Sequence, residues 1–236
     1  MQTETDGPAE IPPLHLVWLL DRSSSMVEAG KQFAARFAVS EYVAGTRQDA
    51  ATGAAPPYAG PTLVSVLGVS AGVRWLCEST PLEDFGWNDS WSAGPPVNAT
   101  DLGAAFREVA DRLAVLSMPQ RSPAAVIVLI TDGQPTDDWR AGLRALDATA
   151  RGRSAVRLAV RIGDDAQDQV MRAFSPQRDS CGSMDARYEV TAALYDAAHP
   201  LEADVDAAHR PSLEDEFGLD DYVNDHDYDE EASIAW

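Results

Sequence analysis

Leu14-His-Leu-Val-Trp-Leu-Leu-Asp-Arg-Ser-Ser-Ser25 is the stretch that decides the fold. Its first seven residues are apolar except His15, a run short enough for a strand buried on both faces. The chain then turns polar at once, with Asp21 followed by Arg22 and three serines. A second run, 124–130, is the most apolar in the sequence and leads into Thr131-Asp132-Gly133. It reads as a central strand. Two buried strands, each running into an aspartate, predict a mostly parallel sheet, and ligands of such sheets gather outside the carboxyl ends of the strands.

The segments around these strands alternate. Phe33, Ala34, Phe37, Ala38 and Val43 recur at helical spacing and predict a helix within 27–43. A Gly/Pro/Ala-rich loop follows at 53–61, then a β-rich segment at 62–69 that 72–76 can join as a hairpin across Ser70 and Ala71. Residues 81–99 are irregular and polar. Trp87 and Trp91 within them either pack the loop onto the domain or stand exposed as an aromatic pair for a partner. Leu102, Phe106, Val109, Ala110, Leu113 and Leu116 predict a helix over 102–116, with Asp101 as its cap. Thr136 is the expected N-cap of the next helix, with Asp137 and Asp138 in its first turn and its end near Ala150. A strand at 155–162, with Arg157 and Arg161 at its polar positions, and helices at 166–174 and 190–198 complete the alternation. The expected fold class is α/β, a doubly wound, mostly parallel sheet with helices on both faces. The expected domains are an N-terminal extension (1–12), the α/β domain (13–200) and an acidic, aromatic-punctuated C-terminal tail (201–236).

Composition narrows the function classes. The 236 residues hold 18 Lys and Arg against 38 Asp and Glu, a formal charge of -20. Such a surplus argues against nucleic acid, whose backbone needs clustered cations, and against docking on anionic membranes. It favours solubility, cation binding and basic partners. Cys77 and Cys181 are too few for a disulfide framework and lack metal-finger spacing, so both are expected to be buried free thiols. The first ten residues are acidic and polar, without the basic-then-apolar plan of a secretion signal, and no apolar run approaches the ~18 residues of a membrane span. A cytoplasmic protein is the resulting expectation. Lys31 is the only lysine, and the Arg- and Ala-rich composition resembles that of a GC-rich bacterial genome.

In 201–236, thirteen acids stand against the single Arg210. Such a segment is expected to be largely disordered alone. Phe217, Leu219, Tyr222, Val223, Tyr228, Ile234 and Trp236 interrupt the acids, a pattern that suits folding onto a basic, apolar groove of a partner. A third reading has one of its carboxylates compete for the cation site described next.

Asp21, Ser23 and Ser25 alternate, so in an extended chain their three side chains project the same way. Thr100, in Asn98-Ala-Thr-Asp-Leu-Gly103, and Asp132 add two more oxygen groups from two further loops. Each motif alone is an ordinary turn or cap. Together the five residues read as an oxygen-only cation site. A small hard dication, Mg²⁺ (or Mn²⁺), prefers oxygen ligands in octahedral geometry. Hydroxyls of Ser23, Ser25 and Thr100 can ligate without adding charge, while Asp21 and Asp132 balance the ion directly or through water. With so few charged ligands the metal stays electrophilic and can accept one more carboxylate.

These residues resemble the metal-ion-dependent adhesion site of von Willebrand factor A domains. Asp21, Ser23 and Ser25 match the first motif, Thr100 the second-loop threonine and Asp132 the third-loop aspartate, and the resemblance spans 13–200. Ser24 stands where many members carry Gly. Ile130-Thr-Asp-Gly-Gln-Pro-Thr-Asp-Asp-Trp139 further resembles the bacterial cytoplasmic subgroup typified by the tellurium-resistance TerY-like proteins, often encoded beside a PP2C-type phosphatase and a serine/threonine kinase. The resemblance implies a non-enzymatic adaptor in phospho-signalling or a stress response, whose protein partner supplies an Asp or Glu to the metal. Partnership with a MoxR-type AAA+ ATPase is the alternative.

A metal-dependent phosphohydrolase is the rival from another class. No Cys/His pair, Ser/His/Asp arrangement or phosphate-cradling glycine loop accompanies the five residues, so no catalytic residues are expected. His15, His199, His209 and His226 show no ligand spacing, and His15 is expected in the core or on an edge strand.

Overall fold

The structure, a computed structural model, describes residues 11–91, 98–116, 122–163 and 168–200. The tail at 201–236 and residues 1–10 of the N-terminal extension lie outside the described residues.

The first apolar run forms β1 (Leu14–Asp21), whose eight residues are all buried. It is followed in chain order by β2 (Thr62–Ser70), β3 (Gly72–Pro81), β4 (Val126–Thr131), β5 (Val156–Arg161) and the short β6 (Cys181–Gly182). The sheet order is β3-β2-β1-β4-β5-β6. All neighbours are parallel except the β2–β3 hairpin. The helices are α1 (Lys31–Thr52), α2 (Leu102–Val115), α3 (Trp139–Ala148), α4 (Ala150–Ser154), α5 (Asp168–Phe174) and α6 (Ala186–Ala198).

Strand alternation sorts the core into two layers. Leu14, Leu16, Trp18 and Leu20 pack with Val126, Val128 and Ile130 against α1 and α6, where Trp18 meets Tyr42 at a ring separation of 5.8 Å. Val17 and Leu19 pack with Ile127 and Leu129 against α2, α3 and α5, where Phe106 stacks on Phe174 at 5.3 Å. The sheet is therefore doubly wound, as the apolar runs predict. Strand order reverses between β1 and β4: the chain leaves β1 toward β2 and β3 on one side, and β4 toward β5 and β6 on the other. In open α/β sheets that switch point is where a crevice opens outside the carboxyl ends. Asp21 ends β1, and Asp132 follows β4 directly.

Several elements differ from the sequence pattern. Residues 24–30 form a 3₁₀ turn rather than the start of the predicted helix, because Gly30 adopts φ 76°, and α1 then runs on to Thr52. Asp138, not Thr136, caps α3, accepting from the Ala141 amide at 2.9 Å. The helix stops at Ala148 because Thr149 caps α4, accepting from the Gly152 amide. Asp101 does not cap its own helix; its carboxylate accepts from the Gly72 amide at 2.7 Å, tying the second loop to the β2–β3 hairpin.

Arg157 is not at an exposed polar position. Its side chain is 8 % exposed, lies over the Phe174 ring at 5.9 Å, pairs with Asp147 and donates to the Gly152 carbonyl at 2.7 Å. Trp91 packs inward, stacked on Phe85 at 5.9 Å with Trp87 edge-on at 5.7 Å, which favours loop packing over an exposed aromatic pair. The cysteines are free but half-buried rather than buried. Burial, then Glu189 and Asp185, push the Cys181 thiol up to about 12, so it stays protonated at neutral pH. His15 lies on β1, in the middle of the sheet, and is buried.

Candidate metal centre

Four of the five predicted oxygen residues are almost wholly buried: Asp132 is 0 % exposed, Ser23 1 %, and Asp21 and Thr100 2 % each. Ser25 is half-buried. Asp21 ends β1 and Asp132 follows β4, so both carboxylates stand where these two adjacent buried strands end.

Asp21 is held at both oxygens. The Ser23 amide donates to Oδ1 at 2.9 Å, and the Thr131 hydroxyl donates to Oδ2 at 2.7 Å. Thr131 Oγ1 accepts in turn from the Gly133 amide at 2.9 Å, which fixes the turn that carries Asp132. Burial pushes the Asp21 carboxyl above its ordinary value, the Asp132 charge adds to that, and the hydrogen bonds from Thr131 and Ser23 oppose it. Ser23 Oγ and Ser25 Oγ lie 2.9 Å apart, on the same side as the alternation predicts. Ser24 needs no left-handed backbone, because the one non-glycine residue with positive φ among the described residues is Ser79. The absent glycine therefore costs the first motif nothing.

The Thr100 loop is brought to the same end of the sheet by three tethers. The Thr100 amide donates to Thr136 Oγ1 at 2.9 Å, and the Thr136 amide returns a bond to the Thr100 carbonyl at 3.0 Å. On the other side, the Asp101 amide donates to the Ser70 carbonyl at 3.0 Å, at the end of β2. Asp137 then caps α2 across the gap, accepting from the Gly103 and Ala104 amides at 2.8 and 2.9 Å. Asp137 thus serves the helix after Thr100 rather than its own. The Ser24 hydroxyl reaches Asn98 Oδ1 at 3.3 Å, linking the first loop to the second.

The sequence pattern does not mark Thr131, Thr136 and Lys31 as site residues. Thr131 and Thr136 read as strand end and helix cap, and only the packed loops show what their hydroxyls hold. Lys31 Nζ lies 3.2 Å from Asp132 Oδ2. A lone lysine in an Arg-rich chain was the available signal.

The donor chemistry fits a hard dication. Asp132 Oδ1 is buried without a hydrogen-bond partner, a costly arrangement unless something electropositive comes to it. Asp132 is next in sequence to Thr131, whose hydroxyl donates to the second carboxylate, Asp21. No group of three or more His, Cys, Asp or Glu suited to a metal exists among the described residues, so an ion here has to rely on hydroxyls. That donor set suits a hard divalent cation.

No protein-family model matches the chain, and no curated protein matches it either. Solved structures do. The chain is similar to the ArnB paralog VWA2 from Sulfolobus acidocaldarius, at 18 % identity and a TM-score of 0.53, over 78 % of this chain and 45 % of that one. It is similar to proximal thread matrix protein 1 from the mussel byssus, at 15 % and 0.53, over 80 % of this chain and 49 % of that one. BatB from Bacteroides thetaiotaomicron aligns at 14 % and 0.53, over 78 % of this chain and 98 % of that one.

The fold is that of a von Willebrand factor A domain. At these identities the likeness carries the fold alone. The chain spans about half the length of the first two proteins. Within the von Willebrand factor A fold, Asp21 and Asp132 stand at the carboxyl ends of β1 and β4, where the strand order reverses, and the first and second loops are linked there through Ser24 and Asn98. Among the described residues, no helix is long and apolar enough to cross a membrane.

Proposed function

We propose that the chain is a Mg²⁺-dependent (or Mn²⁺-dependent) protein-docking module and not an enzyme. The observation that supports this reading best is the buried, unpartnered Oδ1 of Asp132, one residue beyond the Thr131 hydroxyl that holds Asp21. Asp132, Ser23, Ser25 and Thr100 would hold the ion, with Asp21 balancing its charge directly or through water. The bound ion would supply an electrophilic position for an Asp or Glu of a partner protein.

A cytoplasmic adaptor in a bacterial phospho-signalling or stress-response system, of the TerY-like kind, is the role we assign to that docking. A Ser/Thr kinase or a PP2C-type phosphatase is then the expected partner, and a MoxR-type AAA+ ATPase the alternative. Against phosphohydrolase chemistry, His15 stands near the amino end of β1, the opposite end of the strand from Asp21.

The test is affinity capture from the native host with Mg²⁺, with EDTA, and with Asp21→Ala. The expected result is a partner retained in Mg²⁺ and lost in the other two arms, and its identity separates the signalling branch from the ATPase branch. Capture indifferent to EDTA and to Asp21→Ala removes metal-mediated docking. Mg²⁺-dependent turnover of a generic phosphoester, abolished in Asp21→Ala, would replace it with the hydrolase.

A further inference from the structure

Lys31 is not among the residues that would hold the ion. It is the first residue of α1, set there by the left-handed turn at Gly30, and its side chain is only 11 % exposed. Its ammonium reaches across 101 positions of sequence to Asp132 Oδ2 at 3.2 Å. The oxygen it engages belongs to the same carboxylate whose Oδ1 is left for a ligand. A surface lysine has little reason to be held here, since an exposed ion pair contributes almost nothing. A partly buried pair on a fully buried carboxylate is different: removing the lysine leaves an uncompensated charge.

We infer that Lys31 is a resident cation that competes with the metal for Asp132, so that the site has two loaded states, ammonium and dication. This inference rests on the metal reading above. In the metal-free chain, the Lys31 ammonium offsets the Asp132 charge and keeps the third loop in place. When a dication arrives, its charge opposes the ammonium at close range, and the ion pair has to loosen. The coupling is reciprocal: whatever the pair subtracts from metal affinity, the metal subtracts from the pair. The site consequently releases metal readily without losing its shape, and docking becomes responsive to the free Mg²⁺ level.

The experiment measures Mn²⁺ affinity, by electron paramagnetic resonance of the free ion, for the wild-type chain, Lys31→Gln and Asp132→Ala. Lys31→Gln is expected to bind Mn²⁺ about tenfold more tightly than wild type, which corresponds to ~1.4 kcal/mol. Asp132→Ala is expected to lose binding. Equal or weaker Mn²⁺ binding by Lys31→Gln, with wild type binding and Asp132→Ala not, overturns the competition and leaves the metal reading standing. Absence of Mn²⁺ binding by both wild type and Lys31→Gln overturns both.

A second readout covers a Lys31→Gln chain that does not fold. Because Lys31 is the sole lysine, its acetylation can be followed in the wild-type chain by mass spectrometry, with the N-terminal amine as internal reference. Saturating Mn²⁺ is expected to accelerate acetylation of Lys31 several-fold relative to that reference. An unchanged or slower rate overturns the inference.

Discussion

The Thr131 hydroxyl donates to Asp21 Oδ2 at 2.7 Å, joining the ends of two strands that lie 110 positions apart in sequence. The same hydroxyl oxygen accepts from the Gly133 amide. One side chain on β4 therefore orients the first aspartate of the site and the turn that carries the second.

Replacing Thr131 with Val keeps the shape and removes both hydrogen bonds. Asp21 Oδ2 loses its donor and the Gly133 amide its acceptor, each in a buried setting. Leaving such groups unsatisfied costs about 1–3 kcal/mol. The expected outcome in urea denaturation is a loss in that range, with Mn²⁺ affinity reduced several-fold. Unchanged Mn²⁺ affinity would show that Asp21 does not need Thr131 for its orientation.

Asp21 itself trades stability for charge. Its carboxyl is raised above the ordinary 3.8, chiefly by burial. A raised native value means that the folded chain takes up this proton before the unfolded chain does. The metal-free protein therefore gains stability from this group as pH falls through the native value, and the gain is complete below 3.8. Asp21→Asn carries no charge at any pH. In EDTA at pH 7.5 the variant is expected to be more stable than wild type, with the gap closing by pH 4, and Mn²⁺ binding should be lost. Denaturation curves at the two pH values decide it; a variant less stable than wild type at pH 7.5 refutes the burial cost.

The two apolar runs make the sheet and its switch point legible in the sequence, because buried parallel strands leave a continuous apolar signature. The five oxygen residues are legible for a related reason: each follows or borders an element whose period is clear. The supports are not. Thr136 has the composition of a helix cap, and whether its hydroxyl serves α3 or the Thr100 amide depends on a loop 36 positions away. Asp137 likewise caps α2 rather than the helix beside it. Arg157 looks polar in a strand pattern, yet Phe174 and Asp147 bury it. In each case a long-range partner chose among local options that propensity leaves nearly equal.

The α2–α3 crossing offers a test of how Thr100 is held. A Cβ on Gly142 would fall 2.2 Å from the Gly103 carbonyl oxygen, and one on Gly103 would fall 2.4 Å from the Asp138 carbonyl oxygen. Both obstacles are backbone, so the helices have to part. Gly142→Ala is expected to cost about 1–3 kcal/mol by overpacking. Parting the helices also pulls Asp137 from the α2 amides that follow Thr100, so Mn²⁺ affinity should fall together with stability. Calorimetric titration of Gly142→Ala with affinity intact would uncouple the crossing from the site.

His15 should dominate the acid side of the stability profile near neutrality. It is 4 % exposed, its Nε2 lacks a partner, and burial, followed by the Arg151 and Arg112 charges, holds its pKa below the ordinary 6.5. The unfolded chain protonates this ring near 6.5 while the folded chain stays neutral, so stability contributed above 6.5 is lost as pH falls from there toward the native value. The sign is opposite to that of Asp21. His15→Leu removes both the titration and the unpartnered nitrogen. It is expected to flatten the profile between pH 7.5 and 5.5, and to add about 1 kcal/mol at pH 7.5. A His15→Leu chain whose denaturation midpoint still drops in parallel with wild type over that interval would assign the acid loss to another group.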